Sequence, residues 1–328
     1  MKSVNEKLWY GKPYYSLDAY CKDMLGGKCY KIALNAGLGC PNRDGTIGTG
    51  GCIFCSMGGS GEFAVDISGK SMEEQLKEGI SRFGNKVTGE RFIAYFQAYS
   101  NTYGSTDYLE KIYTQALAHP DICGISIATR PDCIPDEILE LLMRLKKQFP
   151  QKFIWVELGL QTIREETARY IRRGYPLPCF EETYRKLKQA QIPVIVHVIL
   201  GLPGESREDM YQTIAFLNRI VPFGVKLQLL HVLAGTDLAK DYQAGKFAVL
   251  SEEEYLEILM YGIALLRPEI VIHRVTGDGP KELTLAPLWS LNKRRVLNRL
   301  HQEMNRRGVY QGSLFGANLA GEPAYDEK

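Results

Sequence analysis

A chain of 328 residues with 45 % apolar and 24 % charged side chains is long enough for one large α/β barrel or two modest domains. Forty basic against 38 acidic residues leave a formal charge of +2, which excludes a polycation, so any affinity for nucleic acid has to come from local clustering. The most apolar run, Ile192 to Leu202, is too short for a bilayer and no charged-then-apolar leader opens the chain, so no membrane association and a cytoplasmic protein with reduced thiols are expected.

Residues 1–27 read as an aromatic-rich, loop-like extension in which Trp9, Tyr10, Tyr14, Tyr15 and Tyr20 flank Pro13, expected to cap one end of a barrel. Alternation from Lys28 to Asn35 predicts the first strand, which delivers Cys40 to the C-terminal edge of a sheet. Cys40, Cys52 and Cys55 then fall in one glycine-rich loop. Thiolates suit zinc or iron–sulfur, yet the nearest histidine, His119, lies far along the chain, so a fourth protein ligand is missing. Three thiolates with an open position suit an iron–sulfur cluster that binds a small molecule; structural zinc and inert thiols are the alternatives. Cys21, Cys29, Cys123, Cys133 and Cys179 show no ligand spacing and read as small buried apolar residues.

Ser71 and Glu74 form a capping box for a helix running to about Phe83. Strands follow at Phe92–Gln97, Ile122–Ala128, Phe153–Leu160, Pro193–Leu200 and Val225–Val232, with helices at Thr106–Ala118, Pro135–Phe149, Phe180–Gln191 and Arg207–Ile220. Right-handed crossovers make this a parallel sheet, and six strands predict an α/β fold with a partial (β/α)6 TIM-like barrel over residues 28–250, with chemistry at the C-terminal strand ends. Those ends carry Gln97 and Asn101; Arg130, able to grip a carboxylate or to pair with Asp132; and Glu157, Gly159 and Gln161 on one face. A buried Glu157 needs a bound polar ligand or an internal ion pair with an arginine. His197 is a ligand candidate or a satisfied core histidine.

Beyond the barrel, residues 251–315 form an extension: a helix from Ser251-Glu-Glu-Glu254 to Leu266, an edge strand Ile270–Val275, and a helix from about Leu291 to Arg307. In the last helix Lys293, Arg294, Arg295, Arg299, Arg306 and Arg307 stand against Glu303, and Trp289 precedes them, a pattern that suits an RNA backbone and a splayed base or else a solvated basic face. The acidic start at Glu252–Glu254 suggests that charge is segregated, and residues 316–328 read as a disordered tail.

The cysteine triad, with Phe54 just before its last member, resembles the radical S-adenosylmethionine (SAM) superfamily. Eleven residues between Cys40 and Cys52 replace the usual three, and the string CPNRDGTIGTGGCIFCSMGGSGEF resembles the YhcC/YtqA-type proteins, relatives of the Elongator catalytic subunit. The resemblance covers residues 8–315 and includes Thr129-Arg-Pro-Asp132, the Glu157-x-Gly-x-Gln161 segment, and Arg173-Gly174, after which Tyr175 stands where a histidine is expected. It implies a [4Fe–4S] cluster on Cys40, Cys52 and Cys55, with SAM bound among Phe54, Gln97, Asn101, Arg130, Glu157, Gln161, Arg173 and His197. Arg130, Glu157 and Gln161 are the catalytic candidates. It further implies a one-electron reductant such as flavodoxin or ferredoxin and, as substrate, the C5 side chain of the tRNA wobble uridine, taken from carboxymethylaminomethyl toward aminomethyl, with Lys293, Arg294, Arg295 and Arg299 holding the tRNA. A protein or small-molecule substrate, and a non-catalytic RNA-binding protein whose structural metal borrows Cys29 or Cys123, are the competing expectations.

Overall fold

A computed structural model describes residues 9–59, 61–65, 70–84, 91–277 and 279–316; the tail expected over 316–328 lies outside them except for its first residue. The parallel strands are β1 (Tyr30–Leu34), β2 (Phe92–Phe96), β3 (Ile122–Thr129), β4 (Phe153–Gln161), β5 (Val194–Leu200) and β6 (Gly224–Leu229). A two-residue β7 (Val232–Leu233), β8 (Val271–Arg274) and β9 (Thr284–Ala286) follow. The main sheet has seven strands in the order β1-β2-β3-β4-β5-β6-β8, all pairs parallel, a curled sheet left open between β1 and β8. The partial barrel therefore stands, with the expected edge strand as its seventh member. Helices α2 (Met72–Ser81), α3 (Thr106–Ala118), α4 (Asp136–Gln148), α6 (Leu177–Gln189) and α7 (Arg207–Ile220) lie between strands, each burying one face, and the Ser71–Glu74 capping box is formed.

Period two sorts the inward side chains into layers. At the N-terminal end Ile93, Trp155 and Ile195 form an apolar plug, with Tyr20, Cys29, Cys123 and Phe223 packed against it. Gly124 belongs to this layer because a Cβ there would sit 2.4 Å from the Phe153 ring. Above the plug comes a polar layer to which seven strands contribute one residue each: Lys31, Tyr95, Ser126, Glu157, His197, Lys226 and Arg274. Register places Tyr95 beside Ser126, and His197 beside Lys226, which pairs with Arg274.

Several expectations are corrected. The N-terminal stretch is not all loop: Ser16 caps α1 (Leu17–Leu25), which stops at Gly26 in the left-handed region at φ 71°, and Tyr20 meets Trp155 and Phe223 edge-on. Ser16 bridges to Ile272 and the Ile272 amide donates to the Tyr15 carbonyl at 2.8 Å, so this segment shields the edge strand β8. The expected strand Val225–Val232 ends at Leu229, where Leu230 turns its amide to the Leu200 carbonyl at 3.0 Å before β7 pairs with β9. Two short helices, α5 (Glu165–Tyr170) and α8 (Asp237–Gln243), are additional.

The charge expected to be segregated is instead paired. Helix α9 (Glu252–Leu265) presents its acidic first turn to α10 (Lys293–Arg307): Arg295 meets Glu252, Arg299 meets Glu252 at 2.8 Å and Glu253 at 3.2 Å, and Arg307 meets Glu257 at 2.6 Å. Trp289, expected beside a splayed base, is half-buried against Tyr255 and donates from Nε1 to the Leu250 carbonyl at 3.1 Å. Among the described residues no helix is long and apolar enough to cross a membrane.

Removing the largest side chain of the plug isolates its contribution. Trp155→Ala should cost about 3–5 kcal/mol in urea unfolding, whereas loss of the α1 cap in Ser16→Ala should cost about 1 kcal/mol. Equal costs would mean that the plug does not organise the barrel.

Candidate functional site

After β1 the chain folds back on itself over the C-terminal end of the sheet, braced by bonds from the Ile47 amide to the Pro41 carbonyl at 2.8 Å and from the Gly51 amide to the Asn42 carbonyl at 2.7 Å. Gly51 sits at φ 70°, and a Cβ there would lie 2.9 Å from Arg43 Nε. Arg43 in turn donates to the carbonyls of Cys55 at 2.9 Å and Ser56 at 2.5 Å and lies over the Tyr99 ring. Asn42 Nδ2 reaches the Arg172 carbonyl at 2.6 Å and Cys52 Sγ at 3.6 Å. Neither Asn42 nor Arg43 was singled out by the sequence; the only signal was their place inside the cysteine loop.

Cys40, Cys52 and Cys55 line one cavity of about 200 Å³. Burial and the neighbouring Cys55, against Arg130, push the Cys52 thiol up to about 12, so loading a metal there must displace a proton. Among the described residues no three or more His, Cys, Asp or Glu side chains stand close enough to share a single metal ion. Three thiols around one cavity fall short of the four protein ligands a structural zinc takes and suit a cluster in which each sulfur meets a different iron. Cys29 and Cys123, the fourth-ligand candidates, pack on the Trp155 plug at the opposite end of the barrel.

The predicted cofactor residues divide. Phe54, Gln97, Arg130, Glu157, Gln161 and His197 line the cavity with the thiols. Asn101 and Arg173 do not appear in its wall. Asn101, fully buried, straps β2 to β3 by donating from Nδ2 to the carbonyls of Phe96 at 3.1 Å and Ala128 at 3.0 Å. Arg173, also buried, clamps the turn after β4, donating to the carbonyls of Leu160 at 3.0 Å, Thr162 at 2.7 Å and Tyr175 at 2.9 Å and to Glu165 at 3.0 Å. Arg130 holds Asp132 bidentately at 2.9 and 2.6 Å and stacks on Tyr175, so its fork reaches the cavity already engaged. Gln161 adopts φ 61°, unusual for a side-chain-bearing residue, and receives the Tyr175 hydroxyl at 3.2 Å.

Glu157 pairs with lysines, where an arginine or a ligand was expected. Its Oε1 accepts from Lys31 Nζ at 2.6 Å and Ser126 Oγ at 2.6 Å; its Oε2 accepts from His197 Nε2 at 2.7 Å and from Lys226. Burial alone would push this carboxyl up, but Lys226, Lys31 and His197 together hold it well below the usual range. Burial and Lys226 push His197 down to about 4, so the ring is neutral and donates from Nε2. Burial pushes Lys226 down to about 7 even though Glu157 pulls it up. Lys31, Lys226, Tyr95 and Arg274 were all missed by the sequence reading; the signal was a lone lysine inside the apolar run Val225-Lys-Leu227.

A second cavity of about 960 Å³ opens sideways between β1 and β8, sharing Tyr95, Gln97 and Arg274 with the first. Its rim is Phe63, Leu288, Leu291, Lys293, Arg294 and Arg295, with Phe63 and Leu288 exposed.

Burial of Lys226 makes the stability of the fold depend on pH. A lysine whose folded pKa lies near 7 and whose unfolded value is 10.5 binds fewer protons folded than unfolded between those limits, so stability should rise with pH across that window. Relative to Lys226→Met, the parent should gain up to about 1.4 kcal/mol per pH unit in unfolding experiments between pH 7.5 and 9.5. A flat difference would mean that the ammonium is not desolvated.

Residues 35–217 match the model of the radical SAM superfamily and residues 222–306 match the Radical_SAM C-terminal domain. The chain is 41 % identical to the uncharacterized protein YtqA of Bacillus subtilis, covering 93 % of both chains, and 37 % identical to protein YhcC of Escherichia coli K12, covering 89 % of this chain and 92 % of the other. In structure it resembles Methanocaldococcus infernus Elp3 with an N-terminal deletion, at a TM-score of 0.64 and 16 % identity over 86 % of this chain and 64 % of the other, a likeness of fold. Family membership implies SAM and a [4Fe–4S] cluster, which the thiol-lined cavity is chemically suited to hold. This chain belongs to the radical SAM superfamily of enzymes, with relatives of the YtqA and YhcC type.

Proposed function

We propose that this enzyme remodels the C5 side chain of the tRNA wobble uridine from carboxymethylaminomethyl toward aminomethyl, with Cys40, Cys52 and Cys55 holding the cluster and a flavodoxin or ferredoxin supplying the electron. The observation that carries the reading is the pair of cavities joined at Gln97 and Arg274: a thiol-lined chamber opens into a lateral one with a basic rim, large enough for a nucleotide. When bound, cluster and SAM together supply a carbon-centred radical that takes a hydrogen atom from an unactivated carbon. Asn42 donates toward the Cys52 sulfur, Arg43 braces the Cys55 carbonyl, and Gln97 and Gln161 offer amides to the polar parts of SAM. Exposed Phe63 and Leu288 give an extruded base an apolar rim, and Lys293 and Arg294 meet the phosphates beside it.

Replacing any of Cys40, Cys52 or Cys55 by alanine should abolish bound iron, acid-labile sulfide and SAM cleavage, while Cys29→Ala and Cys123→Ala keep all three. Equal loss in a Cys29 or Cys123 variant would refute the three-ligand assignment.

For the substrate, deletion of the gene should leave carboxymethylaminomethyluridine unprocessed in tRNA hydrolysates. Arg295 and Arg299 pair with Glu252 and Glu253; Lys293 and Arg294 line the mouth of the lateral cavity and are the phosphate contacts in this reading. The double variant Lys293→Glu, Arg294→Glu should flatten the slope of log affinity against log salt by about 1.4, the value for two contacts on a single strand. Unchanged wobble nucleosides together with no tRNA binding would transfer the activity to a protein or small-molecule substrate.

A further inference from the structure

Three cysteines outside the cluster loop converge at the N-terminal end of the barrel. Cys21 is buried on α1, Cys29 stands half-buried one residue before β1, and Cys123 is the half-buried second residue of β3. Two local devices bring them together. Gly26, at φ 71°, turns the chain back after α1, and the Gly27 amide donates to the Cys21 carbonyl at 3.2 Å, which returns Cys29 to the helix. On the other side the β2–β3 register slips: Phe92 pairs with Ile122 and Ile93 with Gly124, so Cys123 is the extra residue of a bulge. Its thiol therefore packs against the Trp155 plug and lies 3.1 Å from the Phe92 carbonyl. Cys29 is the middle of the row, hydrogen-bonded through its side chain to Cys123 on one side and Cys21 on the other.

A sulfur flanked by two S–H donors is favoured as the thiolate. The bonds from Cys123 and Cys21, helped by Arg91, lower Cys29 to about 4 against burial and Asp18. The same bonds, together with burial, push Cys21 and Cys123 up, with Lys31 beside the first and Lys152 beside the second. Among the described residues no three His, Cys, Asp or Glu side chains can share one metal ion, so the row is not a metal site. One thiolate in contact with two protonated thiols is instead the arrangement that thiol–disulfide exchange uses.

We propose that Cys29 is the nucleophile of a dithiol–disulfide site that reacts with a low-molecular-weight disulfide, and that Cys21 or Cys123 completes the exchange. The Cys29 sulfur attacks one sulfur of the reactant; a mixed disulfide forms and one thiolate leaves. The neighbouring thiol gives its proton to that thiolate, attacks the Cys29 sulfur and expels the second thiolate, which solvent protonates. Two protein thiols are oxidised and one disulfide is reduced to two thiols. The site stands at the opposite end of the barrel from Cys40, Cys52 and Cys55, so its oxidation consumes no cluster ligand. A link to Cys21 would tie the foot of β1 to α1, which shields β8, across the open side of the sheet.

The anaerobic, cluster-loaded full-length protein tests this in two steps. Alkylation of Cys29 by iodoacetamide, followed by peptide mass spectrometry, should keep its rate from about pH 8 to about pH 6, where an ordinary thiol slows roughly 80-fold. Excess glutathione disulfide should then yield a chain lighter by two hydrogens, with Cys29 crosslinked to Cys21 or Cys123. Dithiothreitol should reverse the crosslink, with bound iron and acid-labile sulfide unchanged throughout. Cys29→Ala should form no crosslink among these residues. The double variant Cys21→Ala, Cys123→Ala should stop at a glutathione adduct on Cys29, which shows the nucleophile still folded and active without its partners. A Cys29 that resists alkylation or slows like an ordinary thiol overturns the proposal. So does a parent that forms no crosslink in glutathione disulfide, or a Cys21–Cys123 crosslink that forms as readily in Cys29→Ala.

Discussion

A sheet left open on one side has no ladder of hydrogen bonds to hold its curl, and here one carboxylate stands in for that ladder. Glu157, on the central strand β4, splits its two oxygens between the two halves of the sheet: Oε1 is taken by Lys31 of β1 and Ser126 of β3, Oε2 by His197 of β5 and Lys226 of β6. Each contact draws one strand inward toward the same point. Burying a charge is repaid only by such saturated geometry, and removing one partner of a buried pair typically costs about 3–5 kcal/mol because the other is left uncompensated. The cross-brace therefore ties the curvature of the barrel to the chemistry of its interior. It also fixes the height at which the apolar plug ends and the ligand space begins.

The open side that makes this brace necessary also carries the lateral cavity. Among the described residues no strand joins β1 to β8, and the C-terminal extension supplies a rim there. Ion pairs between α9 and α10 set where that rim stands, since α9 packs on the core through residues such as Tyr255 and Leu259 while α10 carries the rim residues at its N-terminal end. Below it Gln311 stitches the two extensions together, its side chain bonded to the carbonyls of Arg267 and Ile270 and to the Tyr15 amide, each at 2.8 Å. Both extensions thus serve the exposed edge β8, one shielding it and the other turning it into the border of a cavity.

The strands were legible because period two and β-branched runs are local signals, and the cysteine loop because its thiols lie close in sequence. What escaped was long-range. Nothing in the sequence near Lys31 or Lys226 announces that they converge on a residue 126 and 69 positions away. The basic helix misled for the same reason: its cations were weighed against Glu303 alone, whereas their partners sit at Glu252, Glu253 and Glu257 on another helix. Asn101 and Arg173 were drawn to the ligand by motif position, but their donors are consumed by backbone carbonyls, a fate that buried side chains at strand ends often meet. In α1 the aromatic composition masked a plain signal, Ser16 before a nine-residue helix closed by Gly26.

Tyr175 shows how a departure from the expected pattern can keep its purpose. Gln161 ends β4 in the left-handed region, a conformation that costs energy for a residue with a side chain and persists only where neighbours over-determine it. Arg173 fixes the carbonyls on either side, those of Leu160 and Thr162, and the Tyr175 hydroxyl holds both the Gly159 carbonyl at 3.0 Å and the Gln161 side chain. A Cβ at Gly159 would lie 2.9 Å from that hydroxyl and 2.8 Å from Gln161 Nε2, so a side chain there would displace both. The tyrosine ring is itself flanked by the guanidinium groups of Arg130 and Arg173 at 4.8 and 4.9 Å, a stack that an imidazole would fill less completely. A longer side chain with one hydroxyl thus aims Gln161 into the cavity by reaching around the glycine, so the Glu-x-Gly-x-Gln segment and the Arg-Gly-Tyr turn act as one device rather than two.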